Sequence, residues 1–115
     1  MRIIGIDPGT AIMGWGVVEH QASTVTLVAC GALTTPAGIP QAERLVILYR
    51  GLCECIDMHK PESGAVEELF FSKNVTTALT VGQARGVALL ALAQAGLSVN
   101  EYKPIVVKQT VAGYG

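Results

Sequence analysis

The sequence is poor in charge, in aromatic rings and in histidine. Of its 115 residues, 15% are charged, 5% are aromatic and two are histidines, while half are hydrophobic. A chain this apolar is not intrinsically disordered, and its length allows one domain with a substantial hydrophobic core. Neither histidine stands at a spacing typical of a metal site, so we assign no role to either of them.

Cysteine is also scarce, with three residues and no Cys-x-x-Cys pair. An odd number favours a reducing compartment over a disulfide framework. Cys53 and Cys55 point in different directions on a predicted helix, so no zinc site is expected, and the thiols are interpreted as buried. The N-terminus shows no secretory signal, and no charge-free apolar run is as long as a membrane span, so we expect no contact with a membrane.

The net charge of −1 alone argues against a strongly basic nucleic-acid-binding protein, but the charges are unevenly distributed. Residues 1–68 carry four basic and eight acidic side chains, a net charge of −4, whereas residues 69–115 carry four basic side chains and one acid, a net charge of +3. A modestly positive half beside acids at strand ends is suited to neutralising phosphates while the acids hold cations.

The apolar pattern predicts an α/β domain with the element order βββαβαβ. Short joins indicate an antiparallel meander of three strands, and two helices act as crossovers to further strands, which together give a mixed sheet flanked by helices. The predicted strands span residues 2–7, 14–18, 24–32, 64–69 and 98–103. The predicted helices span residues 41–58 and, between an N-cap at Asn74 and a stop at Gly96, 75–95, with a last helical turn opened by Pro104.

Two carboxylates close apolar strands: Asp7 in "RIIGIDPGT" and Glu67 in "GAVEEL". The first crossover helix can place the fourth strand beside the first and parallel to it, which brings both acids to one edge of the sheet. Acids held that closely repel each other unless a divalent cation neutralises them, and Mg²⁺ prefers such oxygen ligands. Two such ions about 4 Å apart can activate a water and stabilise the leaving oxygen in phosphodiester hydrolysis.

Other interpretations of these acids stay open at the level of the residues. Asp7 precedes Pro8 and Gly9 and could be a turn residue that caps local amides. Glu67 could be an exposed acid on a solvent-facing surface. Glu67 and Glu68 point to opposite faces of a strand, and the pattern does not decide which of them reaches the site.

The segment "FFSKN" follows the acids directly and contains the only phenylalanines of the chain, Phe70 and Phe71. Exposed phenylalanine rings are energetically costly. Either both rings pack under the loop, or one of them packs in the core while the other stacks on nucleic-acid bases. Lys73, Arg85 and Lys108 are candidate phosphate contacts, although each alone also fits a solvated surface charge.

Four stretches together resemble the RuvC family of bacterial Holliday-junction resolvases, members of the ribonuclease H-like nuclease superfamily. They are "GIDPGT" with "GWGVVE", "AVEELFFSKN", "TALTVGQARGVAL" and "VKQTVAGYG", in family order and at family spacing from residue 2 to residue 115. The resemblance implies a ribonuclease H-like mixed sheet and a single nuclease domain over residues 1–115 that lacks the family's C-terminal helix.

The same resemblance implies a crossover junction endodeoxyribonuclease of DNA recombination and repair. Such an enzyme is a homodimer that binds four-way DNA junctions and nicks two strands symmetrically by metal-dependent hydrolysis. It would use Mg²⁺, with Mn²⁺ as an alternative, and two ions per complete site. The implied partners are the branch-migration proteins RuvA and RuvB, and the implied location is the bacterial cytoplasm.

The resemblance also implies roles for individual residues. Asp7 and Glu67 match the family's first two catalytic, metal-binding carboxylates. Phe70 and Phe71 match the loop that opens the junction core, with Phe71 as the reaching aromatic, and Lys108 matches a DNA-contacting lysine. The family's two further acids lie on a helix beyond the last strand, and no residue of this chain matches them. We therefore expect the 115-residue chain alone to bind metal weakly and to show little nuclease activity.

Two other functions fit parts of the pattern. The phosphate-binding hairpin of the actin, hexokinase and Hsp70 ATPases also reads Gly-Ile-Asp-x-Gly-Thr, so Asp7 would hold the Mg²⁺ of a nucleotide. That architecture needs two such domains and a second phosphate loop, which this sequence does not show. A module that binds branched DNA without cutting it is the other alternative, because the pattern supplies half of a metal site.

Overall fold

The computed structural model describes residues 1–67 and 75–102. These residues form the predicted order βββαβαβ, so the predicted fold class is confirmed. The elements are β1 (Arg2–Asp7), β2 (Ile12–Gln21), β3 (Thr24–Thr34), α1 (Gln41–His59), β4 (Ser63–Glu67), α2 (Val75–Gln94) and β5 (Ser98–Tyr102). The helical turn predicted after Pro104 lies outside the described residues.

The described strands form one mixed sheet in the order β3-β2-β1-β4-β5. β1, β2 and β3 are the antiparallel meander, whereas β4 pairs parallel with β1 and β5 pairs parallel with β4. α1 makes the crossover from β3 to β4, and α2 makes the crossover from β4 to β5. Both crossovers bring the next strand back in the same direction, as the predicted mixed sheet requires.

Both helices pack on the same face of the sheet and form the core with it. α1 contributes Leu48, Leu52 and Ile56 at helical spacing. α2 contributes three alanines and Leu92, and the small alanine side chains let the helix approach the sheet closely. The remaining core side chains come from the strands, namely Ile4, Ile6, Met13, Val17 and Val66.

The end of α2 follows the glycine signal of the sequence, whereas the N-cap predicted at Asn74 lies outside the described residues. α2 ends at Gln94, and Gly96 adopts φ +78° just beyond it. The amide of Gly96 donates to the carbonyl of Ala93, and that of Leu97 donates to Leu92, which is the Schellman pattern of a glycine-terminated helix. α1 ends at His59 and is capped by Lys60, a residue in the left-handed conformation whose amide donates to the carbonyl of Ile56.

The prediction for β2 was too short, because the strand runs from Ile12 to Gln21 rather than over residues 14–18. Its polar end "EHQ" looks like a turn in sequence, but Glu19 pairs with both Arg2 of β1 and Thr26 of β3. Backbone ladder bonds on both sides therefore extend the strand past its last apolar residue.

The structure shows how accessible the three cysteines are. Cys30 is exposed, and Cys53 and Cys55 are half-buried, so the prediction of buried thiols was wrong; all three are free.

Within the described residues, α2 is long and apolar enough over Thr76–Gln94 to cross a membrane by length and composition alone. In this fold the same helix supplies Ala84, Ala88 and Leu92 to the core, as the helix of a globular domain does.

Candidate active site

Asp7 and Glu67 are the last residues of two neighbouring parallel strands. β1 and β4 pair with the register Ile3 to Ser63 through Ile6 to Val66. One further step along this register puts Asp7 level with Glu67. The fold therefore brings together two acids that are 60 positions apart in sequence, at the carboxyl edge of the sheet as the sequence predicted.

The strand alternation also puts these two acids on the same face. Ile6 and Val66 belong to the helix-covered core, and a Cβ built on Gly64 would lie 2.7 Å from Leu92 of α2. Because successive residues of a strand alternate between faces, Asp7 and Glu67 lie on the face opposite α1 and α2. The register thus selects Glu67 for this face, while Glu68 lies outside the described residues.

The surroundings of the two carboxylates differ. Asp7 is exposed, whereas Glu67 is buried with 8% of its surface accessible. Gly14 of β2 pairs directly with Asp7, and a Cβ built on Gly14 would lie 3.7 Å from the Cβ of Asp7. Glycine at this position therefore leaves the flank of Asp7 toward β2 clear of side-chain atoms. The sequence analysis missed Gly14, and only the strand register reveals its relation to Asp7.

The loop after Asp7 is tightly closed. A Cβ on Gly9 would collide with the backbone carbonyl of Ile12, so only glycine fits there. The hydroxyl of Thr10 donates to the carbonyl of Thr80 in α2 over 3.0 Å. The turn anticipated after Asp7 is therefore present, and it is attached to a helix that is distant in sequence.

Other candidate residues are not brought beside this pair. Along the backbone, β5 pairs with β4 and not with β1, the strand that carries Asp7. Arg85 is half-buried on α2, in the layer on the other side of the sheet. Within residues 1–67 and 75–102, no group of three or more His, Cys, Asp or Glu side chains could hold a metal ion.

The remaining predicted contacts to DNA cannot be placed. Phe70, Phe71, Lys73 and Lys108 all lie outside the described residues, as do both ends of the segment "FFSKN". The described residues that flank it are Glu67, at the end of β4, and Val75, at the start of α2.

The model of the family described as crossover junction endodeoxyribonuclease RuvC matches residues 3–115. The chain belongs to this family. The crossover junction endodeoxyribonuclease RuvC of Chloroflexus aggregans is 70% identical over 115 residues, which are all of this chain and 70% of that protein. The RuvC of Roseiflexus sp. is 64% identical over 114 residues, 99% of this chain and 68% of that protein.

Solved structures agree with the family assignment. Thermus thermophilus RuvC in complex with a Holliday junction substrate is 35% identical with a TM-score of 0.83, over 95% of this chain and 68% of that chain. Membership in the RuvC family confirms the predicted function, a Holliday-junction resolvase that acts as a nuclease.

More distant structures share the fold alone. The yeast mitochondrial Holliday junction resolvase Ydc2 is 14% identical with a TM-score of 0.63, over 97% of this chain and 55% of that chain. The Aquifex aeolicus PPX-GPPA enzyme is 18% identical with a TM-score of 0.53, and this chain covers 36% of it. The five-stranded mixed sheet is therefore common to proteins outside the resolvases, and the family match, rather than the sheet, decides the function.

Proposed function

We propose that Asp7 and Glu67 are the first two metal-binding carboxylates of this resolvase and that its substrate is a four-way DNA junction. The observation that carries the proposal is the parallel register of β1 and β4, which puts both acids at one level and on one face. Mg²⁺ is commonly bound by one or two carboxylates together with substrate phosphate oxygens. The two acids fit that role, and Mn²⁺ suits the same oxygen ligands.

The two carboxylates would have distinct tasks. Asp7 is exposed, with its flank cleared by Gly14, so it is the group that can face the scissile phosphate. Glu67 is held at the end of a buried strand and would fix the position of the bound metal ion relative to the sheet. Bound divalent ions supply a water of lowered pKa and charge stabilisation at the leaving oxygen. Two ions in one site would need more carboxylate ligands than these two acids supply.

Further residues are proposed to hold the junction. Phe71, with Phe70 beside it, is proposed to enter the junction core, since a ring that inserts between base steps opens the stack. Lys73, Arg85 and Lys108 are proposed to contact phosphates. Each lysine is in the net positive C-terminal half of the chain.

A homodimer is proposed because two symmetric nicks require two active sites related by a two-fold axis. The outer face of α2, formed by Leu79, Gly82, Gly86 and Leu90, is suited to contact a second copy. Leu79 and Leu90 are 63% and 50% exposed, and a Cβ built on either glycine meets open space. The four residues lie at helical spacing on one side, so two such helices could approach closely. RuvA and RuvB are proposed partners, and the bacterial cytoplasm is the proposed location.

The proposal is tested by Asp7→Asn in an extended protein, defined as this chain continued after Gly115 with the C-terminal segment of the Chloroflexus aggregans relative. We expect cleavage of a four-way junction in Mg²⁺ to fall at least about 1000-fold, because a neutral amide neither holds the cation nor balances its charge. Junction affinity measured by gel shift should be unchanged or higher, because one negative charge facing the phosphates is removed.

The matched control is Asp57→Asn, which removes an exposed acid of α1 whose ion pair with Lys60 is itself exposed. This variant should cleave like the parent. Loss of junction binding together with cleavage in Asp7→Asn, or cleavage at the parental rate, would contradict the metal-binding role.

A further inference from the structure

The loop between β1 and β2, residues 8–11, is attached to the rest of the protein at three points. The hydroxyl of Thr10 donates to the backbone carbonyl of Thr80 over 3.0 Å, and the hydroxyl of Thr35 donates to the carbonyl of Thr10 over 2.7 Å. The amide of Thr35 donates to the carbonyl of Ala11 over 3.0 Å. We call these three hydrogen bonds the loop brace.

The brace acts on the chain immediately after Asp7. Asp7 is the last residue of β1, so its backbone is held on one side by the strand ladder and on the other by this loop. Gly9 is pressed against the carbonyl of Ile12, which leaves the loop little freedom of its own. A displacement of Thr10 would therefore be transmitted through two residues to the carboxylate.

The far end of the brace lies on the element that follows Glu67. Thr80 is in the second turn of α2, which begins at Val75, eight residues after Glu67. Glu67 itself is fixed by the pairing of β4 with β5. The bond from Thr10 to Thr80 thus connects the loop after one carboxylate to the helix after the other, across 70 residues of sequence.

We propose that Thr10 is a positioning residue, whose hydroxyl sets the place of Asp7 relative to Glu67 by tying the loop to α2. This inference rests on the proposed metal-binding role of those two acids. A threonine suits the task because its hydroxyl donates to the helix carbonyl while its own carbonyl accepts from Thr35. Divalent cations of the magnesium type demand near-ideal ligand geometry, so a small displacement of Asp7 weakens the site.

The test compares Thr10→Val, which keeps the shape and removes the hydroxyl, with Thr10→Ser, which keeps the hydroxyl. Both are made in the extended protein, with Thr26→Val, an exposed threonine at the distant end of β3, as the matched control. In Thr10→Val we expect the Mn²⁺ concentration for half-maximal binding to rise by about threefold to tenfold, the factor that corresponds to one hydrogen bond. Junction affinity without metal should change by less than about twofold, because Thr10 is not placed among the DNA contacts.

Two readouts do not depend on nuclease activity. Direct Mn²⁺ binding is followed by electron paramagnetic resonance, and amide hydrogen exchange of residues 9–12 is measured in the metal-free protein. Thr10→Val should speed exchange in this loop, whereas Thr10→Ser and Thr26→Val should match the parent in both measurements. Unchanged Mn²⁺ binding in Thr10→Val, or equal weakening in Thr26→Val, would overturn the inference.

Asp7→Asn is measured in the same series to separate the two proposals. If Asp7→Asn loses Mn²⁺ binding while Thr10→Val does not, the positioning role of Thr10 fails and the metal site stands. If Asp7→Asn binds Mn²⁺ as the parent does, the proposed metal site fails, and the positioning role of Thr10 fails with it. Thr35→Val provides an independent arm, since it removes the second bond of the brace and should weaken Mn²⁺ binding in the same direction.

Discussion

At the scale of single residues, Asp7 and Glu67 share a level of the sheet but not an environment. Burial of an ionised carboxylate is costly unless hydrogen bonds or a nearby cation stabilise the charge. A substitution of Glu67, which has 8% of its surface accessible, is therefore expected to change the stability of the fold as well as the proposed chemistry, whereas exposed Asp7 can be exchanged at little cost in stability. Asp7 is for this reason the more informative residue to substitute.

Gly14 provides a test of the space beside Asp7. In Gly14→Ala the added Cβ lies at an ordinary contact distance of 3.7 Å from the Cβ of Asp7, so cleavage by the extended protein should stay close to that of the parent. In Gly14→Val the branched side chain enters the space next to the carboxylate, and cleavage should fall about tenfold or more, the effect of displacing a catalytic group. Cleavage kinetics and thermal unfolding are measured for both variants. Equal cleavage by Gly14→Val and Gly14→Ala would contradict the need for clear space beside Asp7.

Cys55 gives the folded chain a pH dependence on the alkaline side. Burial, with a smaller contribution from the charge of Glu54, raises the pKa of the Cys55 thiol above its ordinary value near 9. The unfolded chain releases this proton first, so the contribution of Cys55 to stability is complete below pH 9 and is lost as the pH rises through the raised pKa. Urea unfolding between about pH 8 and pH 10.5 should show a shallower alkaline decline for Cys55→Ala than for the parent; identical slopes would exclude this contribution.

At the scale of the elements, α2 is apolar on two sides. Its inner side fills the core with alanines and Leu92, and its outer face of Leu79, Gly82, Gly86 and Leu90 is left exposed. A helix that is apolar on both sides is expected to meet a second partner. The segment "VALLALAQA" is apolar on more than one side of the helix, and only the structure shows which side meets the sheet.

Leu90→Lys should weaken self-association without unfolding the domain. The leucine is 50% exposed in the single chain, so lysine is tolerated there, but a charge would have to be buried if two outer faces met. We expect the dimer dissociation constant of the extended protein to rise at least about tenfold, a typical effect of a charge in an apolar contact. Analytical ultracentrifugation measures it, with Met58→Lys, a 74% exposed site on α1, as control. Equal dissociation constants for the two variants would place the dimer contact elsewhere.

The elements that the sequence predicted well are those with a local signal. The four-residue spacing of Leu48, Leu52 and Ile56 and the stop at Gly96 locate both helices to within one residue at their described ends. The length of β2 was misjudged because its last residues are polar and are held only by pairing with β1 and β3. Likewise, Thr10 gives no sign in sequence of its bond to Thr80, since the two residues are 70 positions apart.

At the scale of the whole molecule, one face of the sheet is covered by two helices and the other carries the carboxylates. The chain spans about 70% of the length of its Chloroflexus aggregans relative. The candidate site was predicted from two strand ends and was located at the same strand ends. The remaining ligands of the site could not be derived, because the described residues hold no third ligand beside Asp7 and Glu67.

A direct comparison of the 115-residue chain with the extended protein tests whether Asp7 and Glu67 need further ligands. The chain alone should bind Mn²⁺ at least about tenfold more weakly, because two carboxylates supply fewer of the ligands that a divalent ion requires. It should also cleave four-way junctions little or not at all. Calorimetric titration with Mn²⁺ and a junction cleavage assay measure both quantities, and cleavage by the short chain at the rate of the extended protein would show that Asp7 and Glu67 suffice.

The crossover through α1 also bears on the order in which the protein assembles. β1, β2 and β3 pair through short connections, whereas β1 meets β4 only across a separation of 60 residues. Contacts between distant parts of a chain form more slowly than local ones. During folding, a chain whose meander has formed but whose β4 has not docked carries Asp7 without Glu67. Under the metal-binding role proposed for these acids, competence to bind metal would be gained only in the step that completes the central sheet, and a half-folded chain would lack the nuclease centre.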